Sequence, residues 1–525
     1  MHRGVQLKNF PGSGAFAALA LSCALGFGSD GCQALALGEY QAKPGDTLDL
    51  YVAGSWAQDN TLQQLLQLIC ETDSLDVYRA PGRYVRLFFC RMKSSQASLA
   101  GLPPGQKIAF HKSSIAGGGS GVGPLIQRTP VEFLNVEDLR DHLDDRCPAA
   151  SRMKHAGQGD LSGFTEYECL NPTPRFEVPD VGMSDVEPKF FLNPFGLGPS
   201  ALEALSVHHP SALIYGVPVS LGLRNALQSA RFAKSQPCNP ANPHYAERVA
   251  AGHGSHVARG ETEECMPGLS RVQLAGVFSG ALTDWGQIIN PEGYPLAAKT
   301  RQPGRFTSPP GVRAPSDDRV FVCRRPNTAA NQAAYEMFFL NQRCASGDSP
   351  FVQSGDNVFQ GAVTGDVRSC LAQLDQRNVW AVGILTTENV ESVPEDHWRF
   401  IKMDGVAPTL LNTYNGHWPF FVEQSYQWRN DRSTQPLQGP KLALMVHIGT
   451  QLGNPAVIRD IDREYRHAWG SAGAMALSDA NRIPPLAGPG APVNEAAIEE
   501  NPTLGVKHDA GNCGALIPHF PTAMP

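Results

Sequence analysis

This 525-residue sequence lacks an excess of positive charge: 43 Lys and Arg stand against 50 Asp and Glu, a formal net charge of −7. No long basic run offsets that balance, which argues against nucleic acid as the main partner. Any anion site must then be local, made by geometry rather than by the overall field. None of the 12 cysteines forms a C-x-x-C pair, so zinc-ribbon and thioredoxin-like chemistry have no signal. Past residue 27 no apolar run is long enough to span a bilayer. The glycine-rich stretch 113–123 is not followed by Gly-Lys-Ser/Thr, which excludes a P-loop, and it lacks the dinucleotide spacing. Gly182-Met183-Ser184-Asp185-Val186 has Val186 where a nucleophile elbow needs glycine, and no spacing links His111, His208 or His209 to Ser184. His253 and His256 have no third metal ligand at a fitting distance, and Asp141, Asp144 and Asp145 fit no EF-hand. The expectation is therefore no enzyme, no cofactor and no metal.

What is present begins with an N-terminal export pattern. Arg3 and Lys8 precede an apolar run over 15–27, and Ala34-Leu35-Ala36 supplies a small-x-small cleavage site, so residues 1–36 are read as a signal peptide. An anchor is the alternative, but Gly26, Gly28 and Ser29 break the run; lipidation at Cys23 would follow a poor lipobox. Ten cysteines remain in a chain expected to be exported and soluble, an even number suited to disulfides. Pairing neighbours gives Cys70–Cys90, Cys147–Cys169, Cys238–Cys265 and Cys344–Cys370 as a trial connectivity, since spacing does not fix it.

Along the chain, Leu48–Ala53 alternates as a strand and opens through Gly54-Ser55-Trp56 into a helix with Leu62, Leu65, Leu66 and Ile69 on one face. Strands are expected at 84–90 and 107–111. The acidic, cysteine-bearing region 128–178 reads as an insertion. Residues 212–220 form a candidate buried strand leading to a helix over 224–230. Ser270 and Gln273 make a capping box for a helix that Gly280 stops. Val320–Arg325 is a short apolar run ending in two arginines, followed by a helix starting near Asn327 or Thr328. A fixed cation and a hydroxyl beside a helix N-terminus can hold an anion. Further strands are expected at 379–385 and 416–423, and an extended Ala-, Pro- and Gly-rich tail past Ala472.

Four loops in this order resemble the periplasmic phosphate-binding proteins of phosphate ABC transporters, of the type II solute-binding superfamily. Ala53-Gly54-Ser55-Trp56 resembles that family's first Gly-Ala-Thr-Phe-like loop, and Gly119-Ser120-Gly121-Val122 its Ser-Gly-Gly helix start. Val181–Val186 resembles its Phe-Gly-Ala-Ser-Asp segment, and Arg324–Ala330 its Arg-Ser-Asp-Gly-Ser-Gly-Thr. Leu269–Gly280 with Thr283-Asp284-Trp285 is the most extended similarity.

The resemblance implies an α/β fold of two lobes joined by crossing strands, with a hinge and a central ligand cleft. It divides the chain into a signal (1–36), lobe 1 (37–215, with the insertion at about 128–178), lobe 2 (216–400), a return to lobe 1 (401–471) and the tail (472–525). It also implies an exported, monomeric receptor that captures phosphate or another oxyanion, with ABC transporter membrane subunits as partners. Ser55, Ser120 and Thr328 would donate hydroxyls, Arg324 would supply the cation, and the amides of Trp56, Ala329 and Ala330 would complete the cage. Asp185 would accept a hydrogen bond from a protonated oxygen of the anion, favouring hydrogen phosphate over sulfate. The sequence departs from the family at Asn327-Thr328-Ala329-Ala330, which loses a glycine and a hydroxyl, and in its length. A structural or surface-assembly protein on the same fold, and a secreted phosphoester hydrolase, are the alternatives.

Overall fold

The computed structural model describes residues 37–41, 45–157, 159–251, 255–290, 293–302, 304–309, 311–344, 351, 353–488 and 491–519. The expected signal and His253 lie outside them. Within them the fold is α/β, built on two large sheets. In the first, Thr47–Gly54 lies at the centre, parallel to Lys107–Ser113 (Thr47 opposite Lys107) and to Val181–Ser184 (Val52 opposite Val181). Its β-rich apolar sequence is buried on both faces, as a central parallel strand requires. The helix Gln58–Ile69 lays Leu62, Leu65, Leu66 and Ile69 into the core beneath this sheet.

The second sheet is organised by Ser211–Ser220, ten residues buried at every position. This strand is antiparallel to Trp398–Met403, to Phe421–Glu423 and to Ala474–Ala476. Phe321–Arg324 lies farther out, parallel to Ala381–Gly383. The capping box forms as read: Ser270 caps the helix Arg271–Ser279, Gln273 returns the bond, and Gly280 ends it at φ 76°.

The chain changes sheet three times, and the first two crossovers touch. Leu205–His208 belongs to the first sheet and Ser211–Ser220 to the second; Phe421–Glu423 belongs to the second and Ser425–Arg429 to the first. The Gln424 amide donates to the Ser211 carbonyl at 2.9 Å, and a ring nitrogen of His209 lies 2.9 Å from the Gln424 carbonyl. Changeover thus falls at 209–210 and 424 rather than at 215/216 and 400/401. The reason is the pairing of Val217 with Ile401, which keeps both strands in one sheet.

Two other readings are revised. Region 128–178 is woven into the first sheet: Phe164–Glu168 runs parallel to Leu75–Arg79 and carries Arg152–His155 on its outer side. Past Ala472 the chain is anchored rather than extended. Ala474–Ala476 joins the second sheet, and Val506–His508 pairs with Leu516–Pro518. The cysteines explain part of this. Cys70–Cys90, Cys147–Cys169 and Cys238–Cys265 pair as neighbours, but Cys370 bonds Cys323 and Cys344 bonds Cys513. Cys323 sits on a strand next to the helix Thr364–Gln376 that carries Cys370, and tertiary packing overrides sequence proximity.

The Cys344–Cys513 bond spans 169 residues, and next to it Asn512 donates to Glu187 and accepts from the Glu423 amide at 2.7 Å. This strap ties the C-terminal segment to both sheets. Cys513→Ser should lower unfolding stability by about 2–4 kcal/mol, measured by denaturant titration, and should expose the segment beyond Asn501 to limited proteolysis first. Unchanged stability would show that the strap is not structural.

Candidate functional site

The loops that the sequence reading singled out do meet. At the end of the first strand, the Ser55 amide donates to the Met183 carbonyl at 2.9 Å and the Ser55 hydroxyl accepts from the Ala57 amide. Residues 117–121 form a tight 3-10 turn packed between the strand ends of the first sheet and the start of the helix Ala330–Leu340. Side chains cannot fit there: a Cβ on Gly118 would stand 2.8 Å from Ser184 Oγ and 3.1 Å from Ala330 Cβ. The Gly119 amide donates to the Thr328 carbonyl at 3.0 Å, a direct backbone bond from one side to the other.

Asp185 follows the strand Val181–Ser184 and is fully buried. Gln58 Nε2, at the start of its helix, donates to one carboxylate oxygen at 2.9 Å, and Tyr215 Oη donates to the other at 3.1 Å. Burial raises the Asp185 carboxyl above its ordinary range, although the bonds from Ser55, Gln58 and Tyr215 and the charge of Arg325 all pull the other way. Tyr215 lies on the second sheet, so Asp185 is held from both.

The cation opposite Asp185 is Arg325, not Arg324. Arg324 turns back into its own loop, donating to the carbonyls of Arg325 and Gln353 at 3.1 and 2.9 Å and to Asn327 Oδ1. Adjacent residues on an extended chain start towards opposite faces, and although both arginines line one small cavity with Asn331, Gln332 and Tyr335, it is the charge of Arg325 that acts on Asp185. Arg325 is 3% exposed. Its Nη1 donates to Thr364 Oγ1 at 3.1 Å, while its Nε is buried with no hydrogen-bond partner among the described residues. Burial lowers its pKa to about 10, against the raising influence of Asp185 and Tyr215, so it is cationic at neutral pH.

Three helix N-termini converge on this pair. Gln58, bonded to Asp185, opens one helix; Thr364, bonded to Arg325, opens another; Ala330, against Gly118, opens the third. The third is capped by Ala329 with no side-chain bond, not by Asn327 or Thr328. Its first amides have no partner within the helix, a feature that attracts negative charge.

The remaining expected groups are differently placed. The Ser120 hydroxyl is spent on the Gly117 carbonyl at 2.7 Å. Trp56 packs edge-on to Tyr84 with the Arg86 guanidinium 4.8 Å from its ring centre. Thr328 reaches the opposite side through its carbonyl, and the Ala329 amide closes a turn onto the Pro326 carbonyl at 2.8 Å.

Several site groups carried no sequence signal. Lys112, fully buried, donates to the carbonyls of Gly54 and Ser55 at 3.2 and 3.0 Å and pairs with Asp59 at 3.0 Å. It neutralises Asp59 beneath the first loop, and burial lowers its pKa. Glu388, reaching over from the second sheet's side, meets the Thr61 hydroxyl at 3.5 Å. Burial first, then the Asp185 charge, raises Glu388 well above the carboxylate range. With the acids Asp185 and Glu388 pushed towards their neutral forms and Lys112 balanced by Asp59, Arg325 and its neighbour Arg324 are left as buried cations without an ion-pair partner among the described residues.

No family model matches this chain, and no curated protein does. Among solved structures it is similar to an ABC-type phosphate transport receptor from Vibrio cholerae: 11% identity, 79% of this chain and 98% of that one covered, TM-score 0.35. It is likewise similar to PstS from Borrelia burgdorferi, at 8% identity, 79% and 96% coverage and TM-score 0.32. Likeness at this level transfers no residue role, so the site stands on its own geometry.

The raised carboxyls predict the sign of the pH response. Unfolded Glu388 ionises above about pH 4.3, whereas the folded protein keeps its proton or buries a charge. The associated stability is therefore greatest in acid and is lost as pH rises. Glu388→Gln, which keeps the neutral acid's shape, should raise the melting temperature by a few degrees at pH 8 and little at pH 4.5. An equal shift at both pH values would contradict this.

Proposed function

We propose that this protein is an exported solute-binding protein that captures an oxyanion, phosphate foremost, between the facing loops of its two sheets, for delivery to a membrane transporter. The observation that carries the reading is the buried Arg325 guanidinium facing Asp185 where three helix starts meet. A cation and converging amide donors neutralise an anion in a site that excludes water. A carboxyl in the same site tolerates the anion only if a proton lies between them. Hydrogen phosphate brings one; sulfate at neutral pH does not, and it binds only as far as Asp185 keeps its own proton. Binding requires the turn 117–121 and the loop 326–329 to part, a hinge motion at the two touching crossovers.

A second reading, a structural protein on the same fold, is favoured by one observation. The Gly119–Thr328 bond and the core that runs from Val122, Val186 and Phe191 to Ala330 already seal the two sides together.

Calorimetric titration of protein unfolded and refolded to remove carried-over ligand separates the two. The receptor reading expects phosphate to bind, and sulfate to bind more weakly and only as falling pH protonates Asp185. Arg325→Ala should weaken phosphate by roughly 30-fold or more, equivalent to about 2 kcal/mol, while Arg324→Lys should leave it within about threefold. Folded wild-type protein that takes up neither anion would overturn the receptor reading and leave the structural one.

A further inference from the structure

The helix Gln58–Ile69 has a second face that the central site does not use. Asn60, Gln63, Gln64 and Gln67 recur at i, i+3, i+4 and i+7, opposite the leucines buried in the core. All four line a groove of about 440 Å³, within the range of small-molecule sites. Its other wall holds His155 and Phe164, whose rings stack at 4.3 Å and 9°, with Tyr465 at one end. Gln64 accepts from Tyr465 Oη at 2.6 Å and Gln67 donates to the Ser162 carbonyl at 2.6 Å, so both are fixed in direction. Among the described residues, the amides of Asn60 and Gln63 are engaged by no hydrogen bond. A merely solvated helix face draws on Lys and Glu, and this face carries neither.

The chemistry of the lining limits the occupant. A side-chain amide offers a donor and an acceptor side by side, the pattern that two neighbouring hydroxyls satisfy together. An aromatic face attracts the positively polarised C–H groups of a sugar ring. The charged groups on the groove, Lys154 and Glu464, are of opposite sign, so no net charge selects an ion.

From this we infer that the amide-lined groove along Gln58–Ile69 is a binding site for a neutral saccharide, separate from the Arg325–Asp185 cleft. The proposal does not depend on the oxyanion reading.

The test is ligand-observed NMR saturation transfer and calorimetry on the full chain with maltotriose, cellotriose and tri-N-acetylchitotriose. One of these should bind saturably. Asn60→Ala combined with Gln63→Ala, both partly solvent-facing, should weaken it by about tenfold or more with the circular-dichroism melt unchanged. Arg325→Ala should leave it intact. Failure of all three saccharides to bind, or binding undiminished in the double variant, would overturn the assignment. So would a short Asn/Gln-rich peptide binding in the same groove more tightly than the sugars. If the double variant melts early, Phe164→Leu replaces it: retained folding with lost sugar binding supports the site, and retained binding overturns it.

Discussion

The close approach of the turn 117–121 to the first sheet and to the helix that starts at Ala330 is the constraint on which the central site depends. Because its glycines carry no side chains, Gly118 can lie against Ser184 on one side and Ala330 on the other, and the Gly119 amide can reach the Thr328 carbonyl. That contact ties the turn beneath the first sheet's strand ends to the loop before the Ala330 helix. It brings Asp185, which ends a strand of the first, within electrostatic reach of Arg325, which follows a strand of the second. A methyl group at Gly118 would meet Ser184 Oγ at 2.8 Å and Ala330 Cβ at 3.1 Å, so these neighbours would have to give way. The turn is thus a spacer between the first sheet's strand ends and that helix start.

Burial then decides the charges. Taking a carboxylate out of water is costly unless it is paired, and the protein solves this in two ways. Asp59 is paired with Lys112 at 3.0 Å and stapled under the first loop by the lysine's bonds to two carbonyls. Asp185 and Glu388 are instead shifted towards the neutral acid, held by hydroxyl and amide donors. A second buried pair, Arg343 with Glu336, secures the loop between Arg325 and Ala330, since Arg343 also donates to the Asn327 carbonyl at 2.7 Å. Arg325, like its neighbour Arg324, is left as a buried cation without an ion-pair partner among the described residues. Its hydrogen bond to Thr364 leaves the buried Nε over, which is what an anion-binding guanidinium requires.

Much of this was legible in the sequence because it is local. Alternation placed the strand at Leu48–Ala53; helical spacing placed Leu62, Leu65, Leu66 and Ile69 in the core; Ser270, Gln273 and Gly280 marked both ends of a helix. The order of the loops around Ser55, Ser120, Asp185 and Thr328 also pointed to one meeting place, and the fold brings these loops together. What was not legible depends on long-range geometry. Which of Arg324 and Arg325 acts on Asp185 turns on the parity of a strand end. Cys323 meets Cys370, and Cys344 meets Cys513, through packing that spacing cannot express. Lys112, Tyr215 and Glu388 sit in stretches that read as ordinary strand and loop, and only burial gives them a role. The region 128–178 and the segment past Ala472 looked peripheral by composition, yet their backbones supply strands to the two sheets.

The central claim is that an oxyanion is held at Arg325, between the two sheets. The most direct measurement is the anomalous diffraction of crystals grown with a heavy oxyanion such as tungstate. The account predicts a peak within hydrogen-bonding distance of the Arg325 guanidinium, next to the Thr364 and Ala330 helix starts, with the turn 117–121 displaced from the loop 326–329. A peak at Arg324 instead, or a cleft that stays sealed by the Gly119–Thr328 bond at saturating anion, would contradict it.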